Sequence, residues 1–178
     1  SVEFAGQKKT AKADASGKWS LRLDPLMASA ESRKLTATGK ADRKAEVSDV
    51  LVGDVWLGSG QSNMAMGVSR SKDFEKEKAA ASYPLIRHFK EDSGAAATVQ
   101  AQAKGKWLAC TPDNVGGFSA TLYFFGREIH REVGVPVGLI NTSVGGTPIE
   151  SWIAPEVQET KPELSAALKA QSDAMPKV

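Results

Sequence analysis

The sequence predicts an α/β fold with a parallel sheet, preceded by part of a β-sandwich module. Residues 1–47 alternate apolar and polar positions between turn residues, which is typical of short antiparallel strands. From residue 49 onward, nearly continuous apolar runs alternate with a stretch of helical spacing, which is typical of a parallel sheet covered by helices. We therefore expect two domains, residues 1–48 and residues 49–178.

The composition indicates a globular chain and excludes several classes of partner. The 178 residues are 41% hydrophobic and 25% charged, which is enough apolar material to form a core. The formal net charge is only +2 and the basic residues are spread along the chain, so we expect no nucleic-acid partner. No apolar run approaches the ~18–20 residues that span a bilayer, so we expect no membrane partner, and the first residues lack the order of a signal peptide.

The sequence contains few residues that could bind a metal or form a disulfide. The single cysteine, Cys110, excludes an internal disulfide and a cysteine-built zinc site. His88 and His130 are the two histidines, too few for a dedicated metal centre. We therefore expect neither a metal nor a cofactor, and we interpret Cys110 as a small core residue.

Two hairpins are predicted in the first module. The first joins residues 2–4 to residues 19–23 across a turn at residues 14–17. The second joins a strand at residues 35–37 to a strand that ends at Val47. About four short strands are too few for a complete sandwich, so we expect the chain to begin after the true start of that module.

Three strands and two longer helices are predicted in the second module, besides the helix starts at Ser62 and Pro148 described below. The strands are residues 50–57, 84–89 and 135–140, and the helices are residues 118–132, closed by Gly134, and residues 163–174. The run 50–57 is apolar at nearly every position, which is typical of a strand buried on both faces. Its last part, residues 54–57, leads directly into the first candidate loop.

The first candidate loop, residues 58–64, follows a strand, and ligands of open α/β sheets bind at the carboxyl ends of strands. Its small residues allow a tight turn that places Ser62 at the start of a helix, where a hydroxyl beside free N–H groups suits an acyl-transfer nucleophile. Two other interpretations remain open. Ser62 could only cap the helix. The glycines could instead cradle a phosphate or nucleotide, although Asn63 stands where a dinucleotide loop has its third glycine.

The second candidate loop ends in a capping box, with Thr147 as N-cap, Pro148 as the first helical residue and Glu150 at the third position. Gly145 and Gly146 can turn their N–H groups toward a common point, and the helix dipole adds positive potential there. The loop is therefore a candidate oxyanion site. The alternative is an ordinary helix start whose glycines relieve strain.

Three segments, in this order, resemble the sialate O-acetylesterase family of carbohydrate esterases, members of the SGNH hydrolase group. Residues 49–64 resemble the nucleophile block, residues 116–128 the helix before the second block, and residues 138–152 that second block. Residues 4–7 and 17–19 are similar to the β module that precedes the hydrolase domain. The resemblance implies a three-layer α/β/α fold, incomplete here, and a secreted or periplasmic protein that hydrolyses O-acetyl esters on sialic acid or other acetylated glycans.

The same resemblance assigns roles to residues of both loops. Ser62 is the nucleophile, and the N–H groups of Ser62 and Gly146 contribute to the oxyanion hole. The supporting residues are Gln61, Asn63, Gly145 and Glu150. The runner-up function is a phosphate-, nucleotide- or glycan-binding segment without catalysis.

Some groups that the resemblance implies are missing from this sequence. The family supplies a side-chain oxyanion donor and an Asp-x-x-His segment later in the chain, and no histidine follows the second block here. We interpret His88 and His130 as structural or solvated. We therefore expect the isolated chain to be nearly inactive. We also expect the remainder of the same protein, or a second chain, to complete the sheet beside residues 137–141 or their neighbours.

Overall fold

The computed structural model describes residues 1–92, 94, 96 and 99–174. This part of the chain contains two four-stranded sheets. The first sheet consists of β1 (Val2–Phe4), β2 (Gln7–Lys9), β3 (Ser29–Thr38) and β4 (Lys44–Val52). Its strand order is β2-β1-β3-β4, and every neighbouring pair is antiparallel.

The second predicted hairpin of the first module is confirmed, and the first is wrong. Strands β3 and β4 pair with Leu35 opposite Val47, across a short turn at Lys40–Asp42. Strand β1 instead pairs with β2 across a turn at residues 5–6, and its other edge pairs with β3. Both edges of β1 are therefore occupied, and residues 19–23 form no strand.

The apolar run predicted as one buried strand is divided between the two sheets. Strand β4 ends at Val52, and β5 (Asp54–Gly60) begins the second sheet, so the expected domain boundary after residue 48 falls inside β4. Gly53 lies between them, and a Cβ atom there would stand 2.0 Å from Pro136 O. Only glycine permits this approach, which places the change of sheet at Gly53.

The second sheet adds β6 (Tyr83–Lys90), β7 (Trp107–Cys110) and β8 (Val137–Ser143) to β5, in the order β5-β8-β6-β7. Strands β5, β8 and β6 are parallel, as predicted, whereas β7 runs antiparallel to β6. A parallel neighbour needs a crossover that is usually helical, and the described residues between β6 and β7 contain no helix. The sheet is therefore mixed.

Five helices accompany the sheet in the described part of the chain: α1 (Ser62–Ala65), α2 (Phe74–Ala80), α3 (Ala120–Val133), α4 (Pro155–Glu159) and α5 (Pro162–Ala174). Among them, none combines the length and the apolar composition needed to cross a bilayer. Gly134 ends α3 with φ +72°, as predicted, whereas the helix begins after an N-cap at Ser119 and not at residue 118.

In the described part of the chain, the core lies on one face of the second sheet, and β5 exposes apolar side chains on the other. Helix α3 packs on the first face, where Leu122 lies against Gly58 and Gly126 against Leu139 so closely that a Cβ on either glycine would stand 2.7 Å from the leucine. The main buried residues here are Ile86, Val137, Leu139, Phe118 and Tyr123. On the opposite face, Val55 and Leu57 are 63% and 67% exposed. Burial of this strand on both faces, expected from its sequence, is therefore wrong for the described residues, because α3 packs on the face that carries Gly58 and leaves Val55 and Leu57 exposed.

A charged contact joins the two sheets. The guanidinium of Arg87, on β6, donates hydrogen bonds to the backbone oxygen and to Oδ1 of Asp49, on β4. Asp49 also accepts a hydrogen bond from the Ser32 hydroxyl, and these two partners lower the pKa of its carboxyl group. The N-terminal sheet therefore has a polar contact with the second sheet, at the end of the strands opposite the candidate loops.

Candidate active site

The two candidate loops lie side by side at the carboxyl ends of two strands of the second sheet. Strands β5 and β8 are parallel neighbours, with Gly60 opposite Ser143 at their carboxyl ends. One further hydrogen bond, from Val144 N to Gly60 O at 3.0 Å, carries the pairing beyond β8. The loops that follow the two strands are thus brought together by the sheet itself, as the sequence predicts.

Ser62 stands on the turn between β5 and α1. Gly60 has φ +134°, a conformation that favours glycine, and the turn brings Ser62 into the first position of α1. The N-cap is Gln61, which makes no side-chain capping bond, and the Ser62 hydroxyl has no hydrogen-bond partner within the described residues. The exposed Ser62 side chain therefore does not serve as a helix cap.

Gly145 of the second loop faces Ser62. A Cβ atom on Gly145 would stand 3.8 Å from Ser62 Cβ, so the loop passes directly against the serine. Gly146 follows with φ +80°. Within the described part of the chain, the backbone N–H groups of Ser62 and Gly146 donate no hydrogen bond. Unpaired, exposed N–H groups beside a hydroxyl are what an oxyanion site requires.

The predicted capping box is wrong. The Thr147 hydroxyl donates to Val144 O at 2.8 Å and accepts from Trp152 Nε1 at 3.0 Å, so it does not cap the next turn. That turn is a four-residue 3₁₀ segment, Ile149–Trp152, with Pro148 as its N-cap. The bond to the indole five residues along the chain replaces the capping bond, and the four-residue 3₁₀ turn supplies no helix dipole to the second loop.

A buried glutamine holds the segment after the second loop. Gln158, on α4, is 2% exposed, and its Nε2 donates to Glu150 O at 2.8 Å and Ile153 O at 2.7 Å. Glu150 therefore contributes through its backbone oxygen. Sequence analysis missed Gln158, because a glutamine in a polar stretch has no signal that separates it from a solvated residue.

The remaining supporting residues tie α1 to its surroundings. Gln61 Nε2 donates to Thr147 O at 3.2 Å, which links the two loops directly. Asn63 O accepts from the Thr121 hydroxyl at 3.2 Å, which links α1 to α3. The side chains of Gln61 and Asn63 are exposed at the rim of the site.

Asn141 supports the second loop from inside the sheet. It lies on β8, is 3% exposed, and its Oδ1 accepts from Ser143 N at 3.1 Å and from the Ser143 hydroxyl at 2.6 Å. These bonds fix the backbone where β8 turns into Val144 and Gly145. A polar residue in an otherwise apolar strand is the signal that could have found it.

Both histidines make structural contacts. His88 is 2% exposed, and its Nε2 accepts a hydrogen bond from Ser119 N at 3.2 Å. Burial, with the positive charge of Lys90, lowers the pKa of His88 to about 4. Nδ1 of His130 lies 2.7 Å from Val135 O, at the far end of α3. Neither ring is therefore available as a base for Ser62.

The single cysteine is a core residue. Cys110 is fully buried at the end of β7, and burial raises the pKa of its thiol to about 11. A thiol with that pKa stays protonated at neutral pH and is a poor nucleophile. In the described part of the chain, no three His, Cys, Asp or Glu side chains are grouped so that they could hold a metal ion.

This architecture is shared with an α/β carbohydrate acetylesterase. The crystal structure of that enzyme, from Xanthomonas citri, superimposes with a TM-score of 0.84 at 37% sequence identity. The superposition covers 92% of this chain and 37% of the acetylesterase chain.

The family follows from the sequence comparisons. Residues 52–175 match the family described as carbohydrate esterase, sialic acid-specific acetylesterase, and the chain belongs to this family. The chain is 34% identical to the sialate O-acetylesterase of Rattus norvegicus over 157 residues and to that of Homo sapiens over 150 residues. These alignments cover 82% and 75% of this chain but 29% and 28% of the relatives, so the chain spans less than a third of their length.

Proposed function

We propose that this chain carries the nucleophile-bearing part of an esterase that removes O-acetyl groups from carbohydrates, with Ser62 as the nucleophile. The observation that carries the proposal is the exposed, unpartnered hydroxyl of Ser62, on the turn after β5 and directly against Gly145. Membership of a carbohydrate esterase family supports the same chemistry. A phosphate- or nucleotide-binding role is the alternative that the test below separates from it.

The proposed reaction proceeds through an acetyl-enzyme. Ser62 Oγ attacks the carbonyl carbon of the acetyl ester while its proton passes to a base. The N–H groups of Ser62 and Gly146 donate hydrogen bonds to the oxyanion of the tetrahedral intermediate. The intermediate collapses by breaking the bond to the sugar oxygen, which leaves as the alcohol after taking the proton. Water then attacks the acetyl-serine with the same base, and acetate leaves.

The base in this proposal comes from outside the described residues. His88 and His130 are engaged in contacts of their own, as described above. The free edge of β5 is the place where further polypeptide fits, because a strand paired there would bring its carboxyl-end loop beside Ser62. The exposed side chains of Val55 and Leu57 are the apolar surface that such a segment would cover. We propose that it belongs to the remainder of the same protein or to a second chain.

The substrate class is an acetylated sugar. The relatives are named sialate O-acetylesterases and the solved neighbour a carbohydrate acetylesterase, which supports acetyl esters on sialic acid or on another glycan. We place the intact protein outside the cytoplasm, as a secreted or periplasmic enzyme, because such glycans occur there.

Labelling with a fluorophosphonate probe tests the proposal. The full-length protein is expected to be labelled, and Ser62→Ala is expected to lose the label. Ser59→Ala is the matched control, because Ser59 is an exposed serine on β5, three residues before Ser62. Residues 1–178 alone are expected to label and to release acetate at least about a thousandfold more slowly, because the base is missing.

Two results would contradict the proposal. A full-length protein that is not labelled but binds nucleotides tightly would favour the non-catalytic alternative. Full acetyl-ester turnover by residues 1–178 alone would show that the base lies within this chain.

A further inference from the structure

A buried polar pair lies beneath the helix that carries Ser62. His88 on β6 and Ser119 at the N-cap of α3 are 2% and 1% exposed. The Ser119 N–H donates to His88 Nε2 at 3.2 Å, so the proton of the neutral imidazole is on Nδ1. The imidazole also stacks on Phe118, with ring centroids 4.6 Å apart and planes inclined by 13°. The ring is thus held on its face and at one nitrogen.

Ser119 connects His88 to α1 through hydrogen bonds. Its hydroxyl donates to Met64 Sδ at 3.6 Å and accepts from Leu122 N at 3.3 Å, where it caps α3. Met64 is a residue of α1, two positions after Ser62. A single buried serine therefore contacts the sheet through its N–H and the nucleophile helix through its hydroxyl.

The two residues that follow Ser119 also form hydrogen bonds with α1 and its C-cap residue. Ala120 N donates to Met66 O at 2.8 Å, and the Thr121 hydroxyl donates to Asn63 O at 3.2 Å. Both acceptors lie within four residues of Ser62. With only four residues, α1 has little internal hydrogen bonding of its own, so its position depends on these contacts with the start of α3.

We infer that His88 is a positioning residue for the proposed nucleophile: it sets the orientation of Ser62 through Ser119 and α1. A buried N–H without an acceptor is unfavourable, so Ser119 would move if the acceptor on His88 were lost. Contacts of α1 with Ser119 would move with it, and displacements of about 1 Å slow enzymatic reactions strongly. This inference rests on the proposed function, because it assumes that Ser62 reacts.

The competing explanation is that His88 only fills space in the core. The two explanations predict different results for a replacement of His88 that keeps a hydrogen-bond acceptor at the position of Nε2. Glutamine can place its Oε1 close to where Nε2 of histidine lies and accept from Ser119 N, whereas asparagine is shorter by one methylene and cannot reach. Both replacements are uncharged amides, so they form a matched pair that differs in the position of the acceptor.

The experiment compares His88→Gln and His88→Asn in the full-length protein, with His130→Gln as the control for a histidine that contacts only the far end of α3. The measured quantities are the labelling rate of Ser62, kcat and KM for an acetyl ester, and hydrogen exchange of the Ser119 amide. We expect His88→Asn to lower the labelling rate and kcat about tenfold with KM nearly unchanged. We expect faster exchange at Ser119 in the same variant. His88→Gln is expected to stay within about threefold of the parent, and His130→Gln to match it.

Three outcomes overturn the inference: equal kcat in the two variants, a loss in KM alone, or unchanged exchange at Ser119 in His88→Asn. If His88→Asn does not fold, Ser119→Ala, which removes the hydroxyl bond to Met64, must show the same tenfold loss of labelling. Failure of the proposed function gives a different result, because the parent itself would then not be labelled, while the exchange measurement would still report the contact between His88 and Ser119.

Discussion

The two loops that meet at the site are held in different ways. The loop that carries Ser62 is held by the core, because α1 contacts the start of α3 and, through Ser119, the buried His88. The second loop is held mainly by its own short-range contacts, among them the Thr147 hydroxyl with Val144 O and Trp152 Nε1. The first loop therefore depends on contacts with the start of α3 and the core beneath it, whereas the second depends on short-range polar contacts, from the buried Asn141 to the half-buried Thr147.

Acidification is expected to weaken the support of the first loop most. His88 has a folded pKa of about 4 against an ordinary value of 6.5, so below pH 6.5 the unfolded state binds a proton that the folded state does not. The free energy of unfolding therefore falls as the pH drops from about 6.5 to about 4. This difference between the folded and the unfolded pKa of His88 corresponds to a loss of about 3 kcal/mol in the free energy of unfolding.

Denaturant unfolding at several pH values measures this effect. Carboxyl groups titrate in the same range, so the informative quantity is the difference between the parent and His88→Gln, which has no titratable group at residue 88. The parent should lose about 3 kcal/mol more than the variant between pH 7 and pH 4. Parallel curves for the two proteins would show that His88 is not held neutral in the folded state.

A substitution in the second loop is expected to have a smaller and more local effect. Thr147→Val removes the hydroxyl that bonds to Val144 O and Trp152 Nε1. Water can partly replace these two hydrogen bonds at this turn. The free energy of unfolding should fall by about 1 kcal/mol, as measured by denaturant unfolding. Thr147→Ser keeps the hydroxyl and should match the parent. A loss in Thr147→Ser with none in Thr147→Val would instead assign the effect to packing of the threonine methyl group.

Much of the second sheet could be predicted from sequence, because its strands are apolar runs and its main helix has clear signals at both ends. Ser119 and Gly134 are local capping residues, and the structure uses both as caps. The two loops at the carboxyl edge followed from the alternation of strands and helices alone. These features depend on residues that are close in sequence.

The mistaken predictions have different causes. The Thr147 hydroxyl fits a local capping pattern but bonds to the Trp152 indole, five residues along the chain. Residues 19–23 alternate as a strand does, but both edges of β1 are already paired. The division of the apolar run at Gly53 depends on the close approach of Pro136, more than eighty residues away. The role of His88 could not be predicted for the same reason, since its partner Ser119 is far along the chain, whereas Asn141 could have been noticed as a polar residue in an apolar strand.

The most direct test of Ser62 as the nucleophile is detection of the acetyl-enzyme. The full-length protein is mixed with an acetylated sugar and quenched in acid during turnover, and peptide fragmentation by mass spectrometry then assigns the acetyl group to a residue. The account predicts an acetyl ester on Ser62 that disappears when the substrate is exhausted, and neither acetyl ester nor turnover in Ser62→Ala. Turnover that persists in Ser62→Ala, or an acetyl group on another residue during turnover, would contradict it.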